Sequence, residues 1–470
     1  MNATPIIEES RVLLRIGLPV VISGVLNLSM QFVDTVMTGH AGPNELAAVA
    51  SASALFHPIF CLGIGVMVAL TPIVAQLEGS GRIRKIGTSV RQGIWISMLL
   101  ALLSMLVLPH LDSLLRWMDY EPEVVSITDD YLEAIIWGLP AAFAFLAIRH
   151  SLDGLGITRP CMYLTLLGLG VNIIGNYTLI FGNFGFPRMG AVGAGWTTTI
   201  AHWVILIGAL IYLQSSQRTG TIRFLSRFDW PIWNYWREIL KIGIPSGLSF
   251  GAEVCMFTVV ALMMGKFGVT ALAAHQISIN VAALTFMIPM GISAAITQRV
   301  GNAVGQKNWK EVRFRGWLGV GVCVGVMGLT ASIFILFPKV IIGLYTSDDA
   351  VTDLAINILW MAALFQLSDG LQVSSMSALR GLKDTRIPLL TNLFSYWLVG
   401  MGLAYLFGFV LEWGVISIWG GLIAGLSVAA ILHSLRFYLL SQVRIPELHY
   451  ARTGASLHLL ADRSLSIESM

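Results

Sequence analysis

Apolar positions in this chain form long runs interrupted by glycine, proline or charged residues, rather than short alternating strands or amphipathic stripes. Twelve of these runs reach the roughly 20 residues that a bilayer core of about 30 Å requires of a helix. They cover 12–38, 45–77, 92–110, 127–149, 162–182, 191–214, 238–264, 271–298, 316–337, 352–379, 389–410 and 415–439. Several exceed the requirement and predict tilted helices or helices projecting past the headgroups. A β-barrel is excluded, because its spans would be short and would alternate apolar with polar residues. The pattern predicts an all-α polytopic membrane protein with twelve transmembrane helices.

Lysine and arginine are sorted between the loops. With the N-terminus and every second loop placed on one side, 25 of the 29 basic residues fall there. Arg116, Arg188, Lys266 and Lys339 fall on the other. Basic loops stay cytoplasmic, so both termini are expected in the cytoplasm. The segment from Met1 to Arg11 lacks the apolar core and cleavage site of a signal peptide, which makes the first run a retained span.

Composition agrees. The 470 residues are 56% hydrophobic and only 12% charged, and the mean hydropathy is +0.76. Soluble domains carry about a quarter charged residues. A cytosolic enzyme, a nucleic-acid binder and a disulfide-rich secreted module are therefore excluded. Cys61, Cys161, Cys255 and Cys323 match no metal-binding spacing and are expected to be small buried hydrophobes.

The two halves repeat. Arg15-Ile16-Gly17-Leu18-Pro19 matches Lys241-Ile242-Gly243-Ile244-Pro245 at an offset of 226. Without a gap, 15–79 against 241–305 gives 18 identities in 65 positions, including Gly65 with Gly291, Thr71 with Thr297 and Gly79 with Gly305. Gly154-Leu155 pairs with Gly381-Leu382 at offset 227. Six spans per unit, an even number, give both halves the same orientation, a parallel repeat about an axis along the membrane normal. Two six-helix bundles of this kind predict a substrate path between them and alternating access. The expected organisation is a first lobe over 1–228 with the start of the basic central loop, a second lobe over 229–442, and a cytoplasmic tail over 443–470.

Ionisable groups at membrane depth cost roughly 2.5–3.5 kcal/mol by insertion scales, which marks each as a functional candidate. Three acidic residues lie well inside spans: Asp34, Glu253 and Asp369. Helical rise places Glu253 and Asp369 at about 18 and 17 Å from the basic edge, and Asp34 at about 28 Å, in the outer half. Their repeat partners are Val260, Asn27 and Ala142, so none is a duplicated scaffold feature. Burial disfavours the charged form of a carboxyl. Such groups can exchange a proton, offer oxygens to Na⁺ or attract an organic cation; alternatively, each is a carboxyl held by hydroxyls or water that helps pack helices. Asn172 with Asn176, and Gln276 with Asn280, are amide pairs one turn apart at depth, suited either to lining a path or to interhelical hydrogen bonds. Most of the 19 methionines read as lipid-facing filler, although some in the second lobe would suit an adaptable binding surface. No G-x-x-x-x-G-K-[ST] loop is present, so ATP is not the direct energy source. Asp129-Asp130 falls on the outer side, where a diphosphate site is not expected.

In combination, these features resemble the multidrug and toxic compound extrusion (MATE) family, in its NorM-type branch, over about 10–440. The resemblance is carried by Gln31 to His40, by Ala271-Leu272-Ala273-Ala274-His275-Gln276, and by Asn172 through Asn176 to Gly182 followed by Gly190 to Gly195. Glu253 and Asp369 match in position. The resemblance implies a multi-pass bacterial inner-membrane antiporter, not an enzyme, that exports cationic, often aromatic, compounds in exchange for inward Na⁺ or H⁺. It implies a first-lobe cation site of Asp34, Asn172 and Asn176 and a second-lobe site of Glu253 and Asp369, with Asp153 at a further acidic position. Asp153 also reads as an ordinary cytoplasmic helix end between Arg149 and Arg159. No cofactor is expected beyond the coupling cation, which could sit at Glu253, Asp369 or Asp34. The expected partners are the bilayer and organic cations, with no nucleic acid, and the chain is expected to act as a monomer. A lipid-precursor flippase of the same superfamily is the alternative. It would favour a long basic cavity, and the sequence offers no deep arginine.

Overall fold

The computed structural model describes residues 3–117, 120–217, 222, 224 and 228–443. Of the expected tail over 443–470, Val443 ends the last helix; 444–470, and Arg218, Arg223 and Arg227 of the central loop, lie outside the described residues. All regular structure among the described residues is helical. Ten spans are continuous or nearly so: α1 Ala3–Ala41, α2 Pro43–Gly79, α3 Ile83–Val107, α5 Arg159–Leu179, α6 Gly190–Ser215, α7 Trp233–Gly265, α8 Val269–Gly305, α9 Trp309–Leu336, α10 Asp349–Gly381 and α12 Val415–Val443.

The other two are irregular. α4 is a bent pair, Pro122–Ile136 and Leu139–Gly154, meeting at 47°. Gly138 and Pro140 lie at the bend, where proline removes a donor and obstructs the preceding turn. α11, Arg386–Val410, passes into π-helical turns over Phe394–Met401 and Leu406–Val410. With the bent pair counted as one span, the total is twelve. The helices overrun the apolar runs at many ends, because charged residues such as Glu9 and Arg82 remain in or beside helical turns where water or partners serve them. One further expectation fails: Cys255 is exposed, while Cys161 and Cys323 are buried, because Cys255 lies on the outward face of α7.

The repeat is visible in the packing. Thr71 Oγ1 donates to the His150 carbonyl at 3.1 Å, and its counterpart Thr297 Oγ1 donates to the Ser377 carbonyl at 3.0 Å. The lobes meet through repeat-related glycines. Gly17 of α1 lies against Gly291 of α8, and Gly243 and Gly247 of α7 lie against Val66, Gly65 and Leu62 of α2. Toward the basic end a methyl group on Gly79 would overlap the Asn302 carbonyl, and one on Gly305 would overlap the Gln76 carbonyl. Residues 76 and 79 are the counterparts of 302 and 305, so one backbone contact is made twice. Small residues allow such approach where lipid supplies no hydrophobic drive between helices.

Polar contacts reinforce this end. Glu9 of α1 receives Arg299 Nε and Nη2 of α8, each at 2.6 Å, and Gln76 Nε2 donates to the Gly381 carbonyl at 2.8 Å. On α1 and α8 the glycine contacts reach as far as Gly24 against Met287. Further from the basic end, exposed Asn27 and Gln31 on α1 and exposed Gln276 and Asn280 on α8 continue these faces at one-turn spacing. Beyond the last glycine contact these two faces therefore carry exposed amides instead of packed glycines.

Gly79→Ala should force the lobes apart at one of their tightest contacts. We expect a loss of about 1–3 kcal/mol, read as a lower thermal midpoint in detergent. Gly170→Ala, where an added methyl meets nothing within 4 Å, should leave the midpoint unchanged.

Candidate functional site

Asp34 projects from α1 toward α5 and α6. Asn172 and Asn176 stand one turn apart on α5, both with no exposed surface, so their amides point to the same place. Asn172 Nδ2 donates to Asp34 Oδ1 at 2.9 Å, Asn176 Nδ2 to the same oxygen at 2.6 Å, and Thr198 Oγ1 of α6 to Oδ2 at 3.4 Å. Asn176 Oδ1 is buried and has no partner. The pocket therefore offers one free carbonyl oxygen beside a carboxylate whose donors come from two other helices. Such an arrangement can hold a monovalent cation, or a proton with an adjoining water.

The loop between α5 and α6 fixes this geometry. Gly182 and Gly190 have φ of 75° and 56°, conformations that a side chain rarely adopts. The Ala191 amide at the start of α6 donates to Glu45 Oε2 of α2 at 2.6 Å, a carboxylate at a helix N-terminus, where the backbone dipole favours it. The glycine-rich stretch noted in the sequence thus positions Thr198, a residue that sequence reasoning missed. The available signal was the run Thr197-Thr198-Thr199, three hydroxyls in succession inside an apolar span.

The second carboxyl group lies in the other lobe. Asp369 on α10 is 3% exposed and its Oδ1 is buried without a partner. Glu253 on α7 is close enough for the two charges to act on each other, and both act on Tyr396 of α11. Tyr396 Oη accepts from Gln372 Nε2 at 2.8 Å, and Tyr396 belongs to the π-helical segment, a distortion common at functional sites. No arginine or lysine is hydrogen-bonded to this carboxyl pair among the described residues. Two oxygen-rich groups of like charge, one with a bare oxygen, suit cation capture rather than structural pairing.

The remaining candidates separate. Gln276 and Asn280 are exposed on α8 and join neither carboxyl cluster. Asp153 is far from Asp34 along the membrane normal. It is 3% exposed at the basic end of α4, its Oδ2 lies 3.5 Å from His150 Nδ1, and its Oδ1 has no partner. It is therefore not a solvated helix end. Its repeat counterpart is Arg380, itself buried and stacked on the Phe250 ring at 5.5 Å. His433 on α12, fully buried beside the backbone of Gln372 and Pro388, also escaped sequence reasoning, since a lone histidine in an apolar run carries no pattern.

The arrangement has relatives. The family model described as MatE matches the chain twice, over 19–178 and 245–406, with starts separated by the offset of the internal repeat. The chain belongs to the MatE family. A protein of Xanthomonas campestris pv. campestris named "Probable multidrug resistance protein NorM" is 41% identical over 93% of this chain and 95% of its own length. The "Multidrug resistance protein PmpM" of Pseudomonas aeruginosa is 37% identical over 91% of each chain. A solved structure described as the outward-facing conformation of a multidrug resistance MATE family transporter superposes with a TM-score of 0.84, at 21% identity, over 93% of this chain and 96% of that one. That likeness is one of fold. The two matched segments of this MatE protein contain Asp34, Asn172 and Asn176 in the first and Glu253 and Asp369 in the second.

Asn176→Leu removes the shorter bond to Asp34. It should cost about 1–3 kcal/mol, and the cost should fall by more than half in an Asp34→Leu background, where no carboxylate is left unserved. Thermal unfolding of the four proteins of the cycle in detergent measures both.

Proposed function

We propose that this protein is a multi-pass inner-membrane multidrug efflux transporter, and that it works as an antiporter driving export of organic cations with inward Na⁺ or H⁺. The observation that carries the antiport reading is the placement of carboxyl groups at depth in both lobes with no basic hydrogen-bond partner among the described residues; in this reading they flank a cleft between the lobes that opens away from the basic end. The naming of the NorM and PmpM relatives as multidrug resistance proteins supports the class of substrate. Of the 29 basic residues, 25 share one side, which supports placing that end and both termini in the cytoplasm. The lobes would then correspond to 1–228 and 229–442, joined by the basic connector.

In this reading the described conformation faces outward: the glycine seam, Glu9–Arg299 and Gln76–Gly381 seal the cytoplasmic end. A coupling cation enters the cleft, reaches Asp369 and Glu253 or Asp34, and neutralises charge that would otherwise hold a cationic drug. The drug leaves, the lobes exchange contacts, and the cation is lost to the cytoplasm. One inward charge is worth about 2.3 kcal/mol per 100 mV, close to a fifty-fold concentration ratio.

Asp369→Asn should reduce efflux of a fluorescent organic cation from inverted or reconstituted vesicles by at least about tenfold, with unchanged yield and thermal midpoint. Full efflux by this variant would remove the second-lobe carboxyl from the mechanism. Imposing a Na⁺ gradient and a pH gradient separately identifies the coupling ion, and accumulation against a drug gradient distinguishes the antiporter from a passive channel. Glu9→Gln should weaken the cytoplasmic seal, shifting the lobe separation at that end to longer distances between spin labels on α1 and α8.

A further inference from the structure

At the basic end of the second lobe two adjoining cavities, of about 270 and 420 Å³, share Lys241 of α7 and Arg386 at the start of α11. The smaller also contains Lys383 and Arg436, but these are neutralised: Lys383 Nζ lies 2.7 Å from Glu238 and Arg436 Nε 2.5 Å from Asp384. Lys241, Arg386 and, in the larger cavity, Arg237 make no hydrogen bond or ion pair with any described residue. A surplus of positive charge therefore converges on the shared wall.

Three further observations give this surplus a ligand. Thr385 lines the smaller cavity, is 6% exposed, and its Oγ1 is buried without a partner. An unserved hydroxyl at that depth calls for a group that accepts its proton. Arg386 begins α11, so the amides of Arg386 and Ile387, ahead of Pro388, have no carbonyl within the helix and carry its positive end. The larger cavity is otherwise walled by Leu240, Ile244 and Pro245, with Trp233 exposed at its rim. Exposed Ile244 and Leu248 on α7, and Leu390 and Phe394 on α11, follow the cations at helical spacing. The cations and hydroxyl fit a phosphate; the apolar continuation and the tryptophan fit what is attached to it.

We propose that this seam between α7 and α11 is a binding site for one anionic phospholipid of the leaflet at the basic end. The headgroup phosphate sits between Lys241, Arg386 and Thr385, and the acyl chains lie along Ile244 and Leu390. A free phosphate would use the cations but leave the apolar wall unexplained. The site belongs to one lobe and does not depend on the transport reading.

Native mass spectrometry of the full chain, with phosphatidylglycerol or phosphatidylcholine added, tests it. Phosphatidylglycerol should bind with one tight site and phosphatidylcholine should not. Attraction worth about fivefold per cation makes the Lys241→Gln/Arg386→Gln protein about thirtyfold weaker. Thr385→Val, which keeps the shape and loses the hydroxyl, should be several-fold weaker with an unchanged thermal midpoint. Arg82→Gln/Lys85→Gln, of equal charge change at another cavity, should bind as the unaltered protein does. Equal retention of the two lipids, or undiminished phosphatidylglycerol binding by the Lys241/Arg386 variant, overturns the proposal. Displacement of the lipid by millimolar inorganic phosphate alone would show an anion site rather than a lipid site and overturn it equally.

Discussion

A bilayer supplies no hydrogen bonds, and every polar group within its core must be served by the chain itself. That constraint accounts for the helices, and it also separates the two lobes chemically. In the first lobe the carboxyl at depth is fully attended: three side chains from two helices donate to Asp34. In the second lobe Asp369 retains an oxygen with no donor, beside another carboxyl. One site is prearranged around a negative charge; the other leaves capacity for something positive to supply what the protein omits. The common scaffold thus holds two carboxyl environments that differ in how far their oxygens are served.

The same constraint shapes the joint between lobes. Lipid gives helices no hydrophobic reason to associate, so close backbone approach at glycines and a few polar ties do the work. These are concentrated at the basic end, where water and charged partners are within reach. Glu9 with Arg299 has both members in largely buried positions, with side-chain exposures of 9% and 19%. Breaking such a pair without replacing it is costly.

Much of this was legible in the sequence because membrane proteins state their plan in coarse units. Run length gave the spans, and a gapless register gave the repeat and the glycines that now form the seam. The rarity of charge at depth singled out Asp34, Glu253 and Asp369. What remained hidden depended on direction rather than composition. Nothing in the spacing of Asn172 and Asn176 says that both amides reach one oxygen of Asp34, and a hydroxyl such as Thr198 is ordinary in an apolar span. The bend at 137–138 and the π-turns of α11 are local departures from a uniform apolar pattern, which carries no phase to reveal them. Asp153 read as a surface helix end because its neighbours in sequence are arginines; its neighbours in space are His150 and the buried α2–α4 packing.

The seam at Gly79 and Gly305 has a bearing on how the lobes can move. The contacts of Gly79 and Gly305 themselves are main chain against main chain, with side-chain bonds from Gln76 and Asn302 beside them. The backbone part of such a joint has little compliance: its carbonyl edges are either seated or separated. If the lobes exchange faces as the antiport reading has it, the stiffness of this backbone contact favours discrete registers over half-open intermediates.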